Sequence, residues 1–179
     1  MIQRVIFLLM ILTSTCSAQN LADRDQELLN QVIPDLTGSN NHDTINLHKN
    51  VLVFHHQEKV FTKEFFGRYT YRVLGVDSAR VKKLIRKLDF VYLQQQKSSD
   101  SLWDFSRLPY KLVVYSNDGS NGLKYEHFLK IAKPIYSEDE KFAFVYCIYT
   151  SIYGGCSNYS LKVYKKIKKN WQPYVYIPM

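Results

Sequence analysis

Histidine, carboxylate and cysteine are the side chains with which this chain could do chemistry, and their spacing decides how much. The histidines are His42, His48, His55, His56 and His127, and the densest group is His55-His56-Gln57-Glu58. Imidazole and carboxylate together can ligate zinc, so a small metal-dependent hydrolase built on His55, His56 and Glu58 is one reading. The spacing opposes it. A zinc-protease helix carries His-Glu-x-x-His so that two imidazoles share a face, whereas adjacent residues of a strand point to opposite faces. The expectation is therefore loop histidines, no resident metal and no cofactor. Cys156 with His127 could pair a thiol nucleophile with a base, but Tyr-Gly-Gly-Cys-Ser (153–157) reads more simply as a turn. Gly-x-Ser-x-Gly and phosphate-cradling glycine loops are missing, so no catalytic residue is assigned.

The other conspicuous groups are aromatic and basic. Fourteen tyrosines, ten phenylalanines and two tryptophans make the chain aromatic-heavy. On a sheet face such rings offer flat apolar area with a polar edge, a platform for sugars or peptides. Tyr146, Tyr149, Tyr153, Tyr164, Trp171 and Tyr174 are the ligand-binding candidates, set against the fact that tyrosine also suits half-buried strands. The formal charge is +8, and the excess clusters at Arg80, Lys82, Lys83, Arg86 and Lys87, and again at Lys162, Lys165, Lys166, Lys168 and Lys169. A basic surface attracts polyanions; the simpler expectation is solvated faces that maintain solubility and discourage edge pairing.

The first eighteen residues decide the compartment. Residues 1–4 carry one basic side chain, Arg4; residues 5–12 (VIFLLMIL) are an unbroken apolar run; residues 13–18 are small and polar, with small side chains at Cys16 and Ala18 before Gln19. Those three zones are those of an export signal cleaved between Ala18 and Gln19. The apolar run is far shorter than the roughly 20 residues that span a bilayer. Acylation of Cys16 would instead tether the protein as an outer-membrane lipoprotein; the leucine usual three positions earlier is replaced by Thr13, with Leu12 one place too early. The expectation is a secreted or periplasmic protein, at a membrane only if lipidated at Cys16. Outside the cytoplasm, Cys147 and Cys156 suggest a disulfide: a hairpin turn centred between Ser151 and Ile152 would set them opposite each other.

These groups need elements to hold them. Residues 19–50 read as a helix, with Leu21, Leu28, Leu29 and Val32 on one stripe and limited by Pro34, followed by a polar lead-in. Residues 51–179 read as a single α+β domain. Residues 51–54 and 59–71, rich in β-branched and aromatic side chains, are expected strands. Asp77-Ser78 offers an N-cap for a helix over 78–94, whose stripe is Val81, Leu84, Ile85, Leu88, Val91 and Tyr92. Strands then follow at 110–115, 123–131, around Ile135, and at 141–150, 159–167 and 171–177, forming an antiparallel β-meander packed by one or two helices. Residues 142–149 are apolar on both faces, which predicts a central strand covered on both sides.

From Lys133 onward, Lys-Pro-Ile-Tyr-Ser-Glu-Asp-Glu-Lys-Phe-Ala-Phe-Val-Tyr (133–146), Tyr-Gly-Gly-Cys (153–156) and Lys169-Asn170-Trp171 resemble the C-terminal half of small exported proteins of Bacteroidota-type bacteria. The Ala18-Gln19 junction is usual among them. The resemblance covers about 45 residues, implies the meander and supplies no catalytic residues. Pro134-x-x-Ser137-x-Asp139-x-Lys141 also resembles a β-propeller blade motif, but a propeller needs several copies at a fixed period and the chain holds one. The functional expectation is a non-enzymatic exported protein that binds an envelope protein, or an acidic or carbohydrate ligand, and no nucleic acid, through an aromatic and basic sheet face. An immunity or inhibitor role is a further alternative.

Overall fold

The computed structural model describes residues 23–36, 45–48, 57–71, 76–96, 105–106, 108, 112–115, 127–151 and 158–179. The elements are helix α1 (residues 23–36), strand β1 (Ile45–His48), helices α2 (Gln57–Val60), α3 (Lys63–Arg68), α4 (Ser78–Ile85) and α5 (Phe90–Gln95), and strands β2 (Leu112–Tyr115), β3 (His127–Ile131), β4 (Ile135–Tyr136), β5 (Phe142–Ser151), β6 (Asn158–Ile167) and β7 (Asn170–Pro178). The fold is α+β. One sheet runs β2-β1-β3-β5-β6-β7, with β4 also on β5.

β3, β5, β6 and β7 form the antiparallel meander that the turn spacing predicts. The other side of the sheet is different: β1 lies between β2 and β3 and is parallel to both. Parallel neighbours need a long crossover; between β1 and β2 the chain carries α2–α5. β1 itself comes from the stretch read as a polar lead-in, and Leu47 in it is wholly buried.

β5 is central and closed on both faces. Phe142 and Phe144 face one apolar cluster with Phe61, Phe66, Val81, Leu84, Phe90 and Leu93 from the α2–α5 layer. Ala143, Val145 and Cys147 face a second cluster, with Leu28, Leu29, Val32, Ile33 and Leu36 of α1. This alternation is the period-2 geometry of a strand. Each fully buried large apolar side chain contributes about 1.5–3 kcal/mol.

The residues read as a strand over 59–71 are the short helices α2 and α3 instead. Thr62 is the N-cap of α3, accepting from Phe65 N–H at 3.0 Å. Phe61 and Phe66 each meet the ring of Phe144 edge-on, at 5.2 and 6.2 Å between centroids, so packing onto β5 overrides the β preference of aromatic residues. The helix expected over 78–94 is broken in two. Asp89 accepts from the N–H groups of Val91 and Tyr92 and restarts the helix as α5. Phe90 and Leu93 are therefore buried, while Val91 and Tyr92 are exposed. Glutamines lash the layer together: buried Gln57 donates to Leu93 O at 2.7 Å, Gln94 to Phe61 O at 2.7 Å, and Gln96 to Tyr136 O at 2.6 Å while accepting from Tyr136 N–H.

The Ser-x-Asp-x-Lys segment is the β4–β5 turn. Ser137 Oγ accepts from Phe142 N–H at 2.9 Å and donates to Asp139, which also pairs with Lys141 at 2.9 Å. Glu140 takes the left-handed backbone conformation, φ 51°.

α1 is held by its two ends. Near the start, Tyr136 Oη donates to Asp25 Oδ1 at 2.9 Å, and the Arg24 guanidinium lies 3.7 Å from the Tyr136 ring centroid. At the end, Tyr164 Oη donates to Asp35 Oδ2 at 2.6 Å, and Lys162 Nζ donates to the Asp35 carbonyl at 2.6 Å. Pro34 thus sits inside the last turn instead of ending the helix early. An ammonium offsets the negative pole of a helix C-terminus, where Asp35 would otherwise be unfavourable. Burial holds the Asp25 carboxyl above its ordinary 3.8, outweighing the Tyr136 hydrogen bond and the charges of Lys133 and Arg24.

The folded protein therefore binds the Asp25 proton more tightly than the unfolded chain does. The stability this contributes is fully present below pH 3.8 and is lost as pH rises through the folded-state value. Asp25→Asn keeps an acceptor for Tyr136 and cannot titrate. Urea unfolding between about pH 3 and about pH 8 should show wild-type stability declining relative to the variant as pH rises. A flat difference would show that the carboxyl is not shifted by folding.

Candidate ligand cleft at the edge of the sheet

β7 is an edge strand with an irregular centre, and that irregularity makes a candidate site. Pro173 pairs with Tyr164 and Val175 with Val163, leaving Tyr174 as an extra residue. A bulge of this kind reverses which way the following side chains point. Trp171, before it, packs in the α1 cluster, whereas Val175 and Ile177, after it, pack in the α2–α5 cluster. Proline is tolerated because the strand has a neighbour on only one side.

A cleft of about 330 Å³ opens beside the bulge, lined among others by Asp35, Arg80, Lys162, Tyr164, Tyr174 and Tyr176. Arg80 comes from the first turn of α4. Its Nη1 donates to the Tyr174 carbonyl at 3.1 Å and its Nε pairs with Asp77 at 3.1 Å. Asp35, Lys162 and Tyr164 bring the α1 end clamp into the wall. Both cations already face a carboxylate: Arg80 meets Asp77, and Lys162 lies 3.3 Å from Asp35 Oδ2. The cleft is therefore close to neutral, not a bare cationic pocket. The Tyr174 ring is taken up by Phe142 at 5.5 Å, with Arg80 and Lys165 within 6 Å of its centroid. Tyr176, 43 % exposed, is the free aromatic surface.

The aromatic candidates do not form one face. Tyr164 and Tyr174 line the cleft. Trp171 is buried against Tyr136, with centroids 6.0 Å apart, and its indole N–H has no acceptor among the described residues. Tyr146 is half-buried on the α2–α5 side, near-parallel to Tyr159 at 6.4 Å; burial, with Tyr159 and Cys147 beside it, pushes its hydroxyl up to about 12. Tyr149 is exposed on the opposite face of β5. Tyr153 lies outside the described residues. Asp35, Arg80, Lys162 and Tyr176, outside the six residues named as ligand-binding, also line the cleft, with Val163, Pro173 and Val175. The sequence shows Arg80 and Lys162 only as members of basic clusters, and nothing in it joins Asp35 to Lys162 across more than a hundred residues.

His55 and His56, like the signal residues Cys16, Ala18 and Gln19, lie outside the described residues. Glu58 is exposed on α2. Among the described residues no group of three or more His, Cys, Asp and Glu side chains is arranged to hold a metal ion. Nor is any helix among them long and apolar enough to cross a membrane.

The expected Cys147–Cys156 disulfide is not found. Cys147 is a free, buried thiol, and the strand register sets Ser160 opposite it, not Cys156. The β5–β6 register is shifted by four residues from the one that the symmetric turn would give. Cys147 Sγ lies 3.1 Å from Ser160 Oγ, and burial pushes the thiol up, disfavouring the reactive thiolate. Cys156 itself lies outside the described residues.

Compared with known proteins, the chain matches no family model, no curated protein and no solved structure.

Iodoacetamide should leave Cys147 unmodified in the folded protein and alkylate it after denaturation without any reductant, as peptide mass mapping would show. Modification that requires a reductant first would re-establish the disulfide.

Proposed function

We propose that the protein works outside the cytoplasm as a non-enzymatic binding module, and that it takes a carbohydrate in the cleft beside the β7 bulge. The observation that carries this reading is the meeting of an exposed tyrosine, Tyr176, with the Asp35 carboxylate and the Arg80 guanidinium around one concavity. A sugar presents an apolar ring face and a rim of hydroxyls. Tyr176 suits the face, while Asp35 accepts and Arg80 donates to the hydroxyls. The volume is at the small end of ligand sites, roughly 300–1,000 Å³, and suits one or two rings. Because Arg80 and Lys162 are already matched by Asp77 and Asp35, hydroxyl recognition fits better than capture of a bare anion.

Two other features bear on the reading. The charged, apolar and small-residue zones of residues 1–18 support export, and the likeness of residues 133–171 to small exported proteins points the same way. A protein partner that adds a strand at β7 is disfavoured, because that edge is already guarded: Trp171 N–H donates to Gln31 Oε1, the Tyr174 carbonyl accepts from Arg80 and the Pro178 carbonyl from Tyr69 Oη.

Calorimetric titration with a panel of neutral and acidic oligosaccharides tests it. At least one should bind, and Tyr176→Ala should weaken it about tenfold, equivalent to ~1.4 kcal/mol, with the unfolding midpoint unchanged. Loss of the reading follows if no sugar binds, or if Tyr176→Ala binds as the wild type does.

A further inference from the structure

The carbohydrate cleft uses only the first turn of α4. The rest of that helix and the start of α5 carry a surface that the cleft leaves unexplained. Val81, Leu84 and Leu88 are buried in the core, and Lys82, Lys83, Arg86 and Lys87 stand on the opposite side, all exposed. Several other cations of this protein meet acids: Arg24 with Glu140, Arg80 with Asp77, Lys133 with Asp25, Lys141 with Asp139, Lys162 with Asp35, Lys166 with Glu27. Among the described residues, Lys82, Lys83, Arg86 and Lys87 have no such partner.

Their spacing is unfavourable for the C-terminal end of α4 and the turn that follows it. Lys82 and Arg86, and Lys83 and Lys87, are four residues apart, where like charges repel. A helix C-terminus favours cations, but it does not require four in six residues. The nearest acids are committed: Asp77 caps α4 and pairs with Arg80, and Asp89 caps α5. This charge, uncompensated among the described residues, is therefore available to something outside the molecule.

The start of α5 is apolar at one point. Val91 is 62 % exposed, and Tyr92 beside it is also exposed. They lie four and five residues after Lys87, in the first turn of α5 that Asp89 caps. Cations beside an exposed aliphatic and a tyrosine form the pattern of a surface lying in a lipid interface: the charges meet headgroup phosphates, the valine enters the acyl boundary and the tyrosine sits at headgroup level. A soluble polyanion would use the cations and have no need of Val91.

We propose that the exposed side of α4 and the first turn of α5 docks the protein reversibly on an anionic phospholipid surface, through Lys82, Lys83, Arg86, Lys87 and Val91, without any lipid anchor. The contact is electrostatic with a shallow apolar element, so it weakens as salt screens it. It leaves the β7 cleft free, so the two sites can be occupied together.

The test is co-sedimentation of the protein, purified as processed by an exporting host, with vesicles of phosphatidylethanolamine and phosphatidylglycerol, against vesicles of phosphatidylcholine alone. Binding should be confined to the anionic vesicles and should fall as salt is added. Because each surface cation contributes about 1 kcal/mol at such a membrane, K82E/K83E should weaken binding by about thirtyfold or more. Val91→Asp should weaken it severalfold with the cations intact. Both variants alter exposed side chains, and circular dichroism should show an unchanged fold. Equal binding to both vesicle types, or wild-type binding by K82E/K83E, overturns the proposal. Wild-type binding by Val91→Asp, with dextran sulfate displacing the protein, assigns the surface to soluble polyanions and overturns it equally.

Discussion

Two tyrosine-to-aspartate hydrogen bonds fix where α1 lies, and much of the architecture follows from that. Tyr136 reaches Asp25 near the first turn and Tyr164 reaches Asp35 in the last. The helix is thereby laid across one face of the sheet and its apolar stripe closed over Ala143, Val145 and Cys147. Both hydroxyls are buried, and burial together with the facing carboxylate raises each well above the ordinary tyrosine range. They remain donors under all ordinary conditions. A buried donor aimed at a carboxylate makes a strong bond when satisfied and is destabilising when it is not, so the two contacts define position as well as contributing energy.

The sheet has to be double-sided for this to work. β5 carries phenylalanine toward the helical layer and small or branched residues toward α1. The asymmetry has a physical reason. A single helix lying flat on a sheet needs shallow neighbours, whereas a layer of short helices leaves gaps that rings fill. Phe61 and Phe66 each meet Phe144 edge-on in those gaps. The same division explains why Lys162 and Lys166 of β6 meet acids while Lys82 and Lys83 of α4 do not: Lys162 and Lys166 point toward the acids of α1, and the outer side of α4 faces no acid among the described residues.

What could be read from the sequence was local and periodic. The strands at 142–151, 158–167 and 170–178, and the two-sided burial of β5, follow from apolar pattern and turn spacing. The buried side of α4 follows from its 3.6-residue stripe. What could not be read was non-local or competed with propensity. Thr62 and Asp89 act as caps inside stretches whose aromatic content and continuous stripe suggested one strand and one helix. Ile45–His48 enters the sheet from a polar segment because its partners lie far along the chain at residues 112 and 129. The hairpin register that gives Cys147 a serine partner depends on the length of the turn, which composition does not set. The cleft was half legible: its tyrosines stood out, but Asp35 and Arg80 reach it from opposite layers, and the bulge that gathers them also breaks the alternation by which β7 would be traced.

The guarded edge of β7 has a consequence for life in a crowded space. A strand edge offers other chains a template, and proteins held at high local concentration are the most exposed to it. Here Pro173 and Pro178 supply no N–H, and Gln31, Arg80 and Tyr69 occupy backbone groups that remain. A second copy could zip onto this side only by displacing three side chains that also join β7 to α1, α3 and α4. Fibril growth from this border would therefore have to begin by loosening the fold, which ties resistance to aggregation to the same bonds that assemble the molecule.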